Sequence, residues 1–291
     1  MKTKPSTAKR VSRVVRDQPP HWVGDGFRVR GLLSYQDDPE GVSPFLLLDY
    51  AAPHEFAPSE HQRGVGTHPH RGFETVTIAY QGEVEHKDST GAVGKIGAGD
   101  VQWMTAGGGI LHEERHGRAF ARAGGTFEMV QFWVNLPSQH KLAKPGYQAL
   151  EAGVIPTLEL AEGAGSARVI AGELAGVKGP AKTFTPINVW DLELRAGRST
   201  TLELPAGHTG ALLVRRGSLS VAGSELGPAE LARLSLEGES LELEAREDSS
   251  ALLLTGVPLG EPVVGYGPFV MNTEEEIRTA FRDLQSGSFA R

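Results

Sequence analysis

The chain has 291 residues, with 29 Lys+Arg against 36 Asp+Glu for a formal charge of −7, and it contains no cysteine. The missing thiols exclude disulfides, thiol catalysis and thiolate zinc sites, and they fit the reducing cytoplasm, which is the expected location. The acidic balance disfavours nucleic acid and anionic membrane as direct partners, no apolar run reaches the length of a membrane span, and no secretory signal follows the N-terminal charges.

A chain this long exceeds the usual single core, so two domains of roughly 130 to 150 residues are expected. Its 37 glycines, 18 prolines and 39% hydrophobic content describe a turn-rich globular protein, and an all-β class follows. Lys2, Lys4, Lys9, Arg10, Arg13 and Arg16 all precede the first acid, Asp17. Residues 1–16 therefore read as a solvated, basic, flexible tail.

Between Phe27 and Met104 short apolar runs alternate with turn residues at about 8 to 12 positions, the rhythm of antiparallel strands in a sandwich or barrel. Residues 75–80 are β-branched and aromatic; Gln81 and Gly82 end that run, and the next begins at Glu83. Turns follow at 88–91 and 97–100, and residues 101–104 then run into Gly107, Gly108 and Gly109, where the backbone can bend sharply. That bend delivers residues 110–114. Residues 127–134 predict a further strand with Phe127, Met129, Gln131 and Trp133 on one face.

Apolar periodicity lapses over 137–145, which marks a connection between an N-terminal domain, 17–140, and a C-terminal domain, 141–291. The second half repeats the pattern, with strands expected at 189–194, 200–204, 211–214, 218–221 and 250–254. Near the end, Thr273 and Glu276 form a capping box ahead of Ile277, Ala280, Phe281 and Leu284 at helical spacing, predicting a short C-terminal helix whose apolar stripe packs on a core.

Seven of the ten histidines fall between residues 54 and 116. Side chains alternate across a strand, so His68 and His70 project together while Pro69 points away. The same parity pairs His112 with Glu114 rather than Glu113. Three imidazoles and one carboxylate suit a first-row divalent ion and leave two of six coordination positions open. Glu74 is a competing acid, or an acceptor that orients a liganding imidazole, although Gly72 can reset the face on which it lies. His54, His61, His86, His116 and His208 read as satisfied or solvated histidines, and Arg71 as a surface or ion-pair residue. Phe73, Gln102, Met104, Phe132 and Trp133 are pocket-wall candidates equally explained as core.

The run from His68 to Thr75, the run from Gly99 to Gly107, and Gly109 to His112 closely resemble the core motifs of the pirin family, a bicupin group. The resemblance extends to residues 44–49, 133–137 and 267–273, so it covers nearly all of the chain after the basic tail. It implies two antiparallel cupin β-barrels packed face to face, with a metal in the N-terminal barrel only. It also implies that His68, His70, His112 and Glu114 are the metal ligands, with Glu114 preferred over Glu74 on the family pattern. The expected cofactor is one divalent transition metal, Fe(II) first, with Mn, Ni, Cu or Zn as alternatives.

Pirin-like proteins have been linked to quercetin 2,3-dioxygenase activity, the ring opening of a flavonol with O2 and release of carbon monoxide. The resemblance thus implies a small aromatic substrate, O2, and Glu114 as the catalytic base that takes the flavonol proton. The other implied role is a metal- or redox-dependent regulator that binds a protein partner, a transcription or metabolic factor, without catalysis.

Overall fold

The computed structural model describes residues 7–290. The described residues divide into two compact units, one made of residues 19–35, 45–152 and 259–290, the other of 7–18, 36–44 and 153–258. Each contains a seven-stranded and a four-stranded antiparallel sheet. The fold is all-β in character, with three short α-helices among the described residues. Among the described residues no helix is long and apolar enough to cross a membrane.

In the first unit the larger sheet runs in the order Gly146–Leu150, Val101–Thr105, Phe73–Gln81, Gly125–Asn135, Phe45–Phe56, Phe27–Ser34, His21–Val23. The smaller runs Gly64–His70, Ile110–His116, Val84–Asp88, Val93–Ile96. Residues directly opposite in a ladder share a face. Trp133 lies opposite Thr75, Thr75 opposite Met104, and Met104 opposite Tyr147, while Gln131 lies opposite Thr77 and Thr77 opposite Gln102. This face looks onto the smaller sheet, as ring contacts His70–Trp133 (5.3 Å), His86–Tyr147 (4.8 Å) and His116–Phe127 (4.8 Å) show. The reverse face carries Val76, Ile78, Trp103, Val130 and Phe132, all fully buried.

The same unit takes in the C-terminal segment. Strand Phe269–Met271 pairs with Val264–Tyr266, and the expected helix spans Glu274–Ser286 with the Thr273–Glu276 capping box formed. Its buried stripe, Ile277 and Ala280, packs with Phe269, Met271 and Phe289. Gly72 has φ +89°, and a Cβ there would stand 2.0 Å from the Val270 carbonyl oxygen, so only glycine lets this segment lie against the histidine strand.

In the second unit the larger sheet runs Val11–Val15, Glu230–Leu234, Thr209–Arg216, Ser249–Gly256, Ile187–Leu194, Gly165–Ala171, Thr157–Glu159, and the smaller holds Ser199–Glu203, Ser240–Ala245, Leu219–Val221 and Ser224–Leu226. The five second-half strands expected from sequence all form, most with longer bounds. Where the first unit carries histidines and glutamines, this one is filled by Trp190, Leu192, Leu212, Val214, Leu241 and Leu253.

The units differ from the expected division at residue 140. Of the expected tail, residues 1–6 lie outside the described residues, but Val11–Val15 is a strand paired with Glu230–Leu234. Lys9 is 1% exposed, and its ammonium donates to the carbonyls of His208, Ser235 and Leu236. The basic residues around this strand are those of a sheet edge, where charge is usual. The supposed connection at 137–145 belongs to the first unit: it holds the short 3-10 turn Ser138–His140 and leads into Gly146–Leu150, which pairs with Val101–Thr105. The C-terminal helix lies in that unit too, and not with the second-half strands.

Candidate metal centre

Strand Gly64–His70 pairs with Ile110–His116 so that His68 stands directly opposite His112. His70 is two residues along on the same face, and the three ring centroids lie 4.3, 4.8 and 4.9 Å apart. Their potential ligand atoms all fall within 4.8 Å of one another, the one such grouping of metal-ligating side chains among the described residues. A carbonyl contact orients His68, whose Nδ1 lies 2.9 Å from the Gly66 oxygen, leaving Nε2 as the free lone pair.

His112 is 1% exposed, and neither ring nitrogen has a hydrogen-bond partner. Each unmet buried polar atom costs ~1–3 kcal/mol, so such a ring is expensive unless something else binds it. Burial, then the neighbouring His68 and His86, push its pKa down to about 2. Burial likewise holds His70 well below the ordinary imidazole range, with His112 and His68 adding to the effect. Clustered neutral imidazoles with open lone pairs are the donor set a divalent transition metal takes. The residues present therefore fit such an ion.

The acids separate by face. In Ile110–His116 the residues Ile110, His112, Glu114 and His116 are buried, so Glu114 shares the face of His112 as parity required. Its carboxyl lies outside the tri-histidine grouping and is held by Gln131, whose Nε2 donates to Oε1 at 3.2 Å and Oε2 at 3.1 Å. Glu113 points the other way, toward Arg115 at 3.4 Å. Glu74 lies opposite Val134 on the reverse face and accepts from Thr105 Oγ1 at 2.7 Å. Gly72 does reset the parity. Burial raises the Glu74 pKa to about 7.

Of the pocket-wall candidates, Gln102, Met104 and Trp133 lie on the histidine-facing side, and Phe73 packs on both His70 (5.0 Å) and Trp133 (4.2 Å). Phe132 lies on the reverse face. Arg71 is no surface residue: it pairs with Asp283 at 2.7 Å and sits 4.5 Å over the Phe289 ring.

His116 is a core histidine, its Nε2 2.8 Å from the Gly26 oxygen among Phe27, Phe56, Phe120 and Phe127, while its buried Nδ1 has no partner. His208 in the other unit is satisfied, with Nδ1 3.2 Å from Thr255 Oγ1. His61 contacts Asp25 at 2.9 Å on the surface. His86 departs from expectation, because it is buried, stacked on Tyr147 at 17°, and its Nδ1 has no partner. Sequence reasoning passed over His86, Tyr147 and the Thr77–Gln131 pair. The period-2 run Val84, His86, Asp88 was the available signal for the first, while Tyr147 stood just past the supposed connection.

Residues 26–134 match the Pirin family and residues 189–290 match the Pirin C-terminal cupin domain. A Pseudomonas aeruginosa protein with a provisional quercetin 2,3-dioxygenase name is 54% identical over 97% of this chain and 99% of its own. A pirin-like protein of Caulobacter vibrioides is 39% identical over 96% of this chain and 98% of its own. The crystal structure of a quercetin 2,3-dioxygenase from Acinetobacter baumannii superposes with a TM-score of 0.94 at 54% identity, covering 97% of this chain and 98% of that one. With its paired family domains, its near full-length relatives and its tri-histidine cluster, this two-domain cupin chain belongs to the pirin family.

Proposed function

We propose that the protein is a mononuclear Fe(II)-dependent dioxygenase of the quercetin 2,3-dioxygenase type, acting on a flavonol with O2. The observation that carries this reading is the convergence of His68, His70 and His112 in one cluster, in which the buried His112 nitrogens find no partner in the protein. When bound there, the metal would act as a Lewis acid toward the flavonol oxygen and supply the redox centre for O2.

The remaining work falls to the chain's own side chains. Glu114 would complete the ligand set and take the flavonol hydroxyl proton, a role that requires hydrogen-bond reach to that group. Trp133, stacked on Phe73 and set against His70, offers an aromatic flank for a planar ring. The names of the Pseudomonas and Acinetobacter relatives support the substrate class.

The test is anaerobic reconstitution with Fe(II), followed by oxygen uptake and carbon monoxide detection with quercetin. Equimolar O2 consumption and carbon monoxide release are expected. Silence with the iron, manganese, nickel and copper forms would sink the enzymatic reading and leave a metal-dependent regulator of a protein partner.

A further inference from the structure

Gln131 stands between Asp49 and Thr77 in the sheet ladder, facing the smaller sheet. Its Nε2 lies 3.2 Å from Glu114 Oε1, 3.1 Å from Glu114 Oε2 and 3.1 Å from Thr77 Oγ1. An atom almost equidistant from two carboxylate oxygens sits in the mouth of that carboxylate, where an ion bound by both oxygens would have to sit. Glu114 is 5% exposed; the Gln131 amide donates to both its oxygens, and His86 stands opposite it on the neighbouring strand.

We propose that Gln131 is a positioning residue that keeps Glu114 from closing on a metal with both oxygens. This rests on the tri-histidine reading above. Glu114 can then offer a neighbouring ion only the outer flank of one oxygen. On a six-coordinate ion, three imidazoles and a one-oxygen carboxylate leave two positions for incoming ligands, whereas a two-oxygen carboxylate leaves one. The same amide nitrogen also donates to Thr77 Oγ1.

The test uses the full-length protein loaded with Co(II), with azide as the probe for open coordination positions and visible absorption as the readout. Gln131→Met should bind Co(II) at the wild-type stoichiometry but bind azide about tenfold or more weakly. In a Glu114→Gln background the same substitution should leave azide affinity unchanged, because the coupling runs through that carboxylate. Thr77→Val keeps the amide in the carboxylate mouth and should stay within about twofold of wild type, which separates the proposed role from a packing defect.

Equal or tighter azide binding by Gln131→Met, or the same loss in the Glu114→Gln background, overturns the proposal. Should Gln131→Met fail to fold, Gln131→Leu is read by the same outcomes. A wild-type protein that takes up no Co(II) overturns the tri-histidine reading itself, whereas normal uptake without an azide effect overturns only the role of Gln131.

Discussion

The ammonium of Lys141 donates to the carbonyl of Val270, 129 residues away in sequence, at 2.8 Å. It also donates to the Gly72 carbonyl at 2.8 Å and to the side-chain oxygen of Asn135, so all three of its protons are used while the residue is 2% exposed. One side chain thereby ties the C-terminal segment to the turn that follows His70. Lys141→Met would leave three acceptors without their donor, and a loss of ~3 kcal/mol or more is expected in denaturant unfolding. A loss below ~1 kcal/mol would mean that the segment is held by its apolar contacts alone.

Glu114 and Glu113 are adjacent in sequence and opposite in space. Glu114→Gln should lower metal occupancy or affinity by about tenfold or more, while Glu113→Gln, which removes only a partly exposed contact with Arg115, should change it less than about twofold. Elemental analysis after dialysis against a graded chelator series reads both. Equal effects would show that the strand parity at His112 is not what selects the acid.

How much of this site was legible depended on how local its cause was. His68 with His70 and His112 with Glu114 were readable because period-2 alternation operates within one strand. Gln131 was placed on the correct face of its strand, but its partner was not readable, because nothing local to 127–134 says which strand of the other sheet stands across from it. Glu74 required knowing that Gly72 resets the face. The pairing of Val11–Val15 with Glu230–Leu234 was the least visible: Ser12 bonds to the Arg233 carbonyl across 221 residues, and the charges protecting that edge look like those of a tail.

Glu74 carries the clearest pH dependence. Its pKa is raised from 4.5 to about 7 by burial, so the folded state keeps a proton that the unfolded chain gives up above 4.5. The unfolded state therefore binds fewer protons between those values, and the contribution to stability falls as pH rises through that window, then levels above 7. At 1.36 kcal/mol per unit the full change is ~3 kcal/mol. Glu74→Gln retains an oxygen acceptor for Thr105 and removes the titration. Relative to wild type it should thus gain ~3 kcal/mol between pH 4.5 and pH 7.5, read by urea unfolding at each pH. A difference that stays flat across the window would place the Glu74 proton release elsewhere.

Lys9 repeats in the second unit what Lys141 does in the first, donating to three carbonyls, those of His208, Ser235 and Leu236. The strand that follows closes the exposed side of Glu230–Leu234, and Val11 and Val14 pack on the leucine core. If residues 7–16 were a solvated tail, Lys9→Met would be silent, since substitutions on mobile surface segments usually stay within about 0.5 kcal/mol. The geometry requires the reverse. Three carbonyls, that of His208 buried and those of Ser235 and Leu236 partly so, would lose their donor, and the edge of the sheet would open toward solvent. Lys9→Met should cost ~3 kcal/mol and lower hydrogen-exchange protection in Glu230–Leu234 before protection falls in Ile110–His116, which lies in the other unit. Unchanged protection in Glu230–Leu234 would show that the strand is held by its backbone ladder, with the buried ammonium adding nothing.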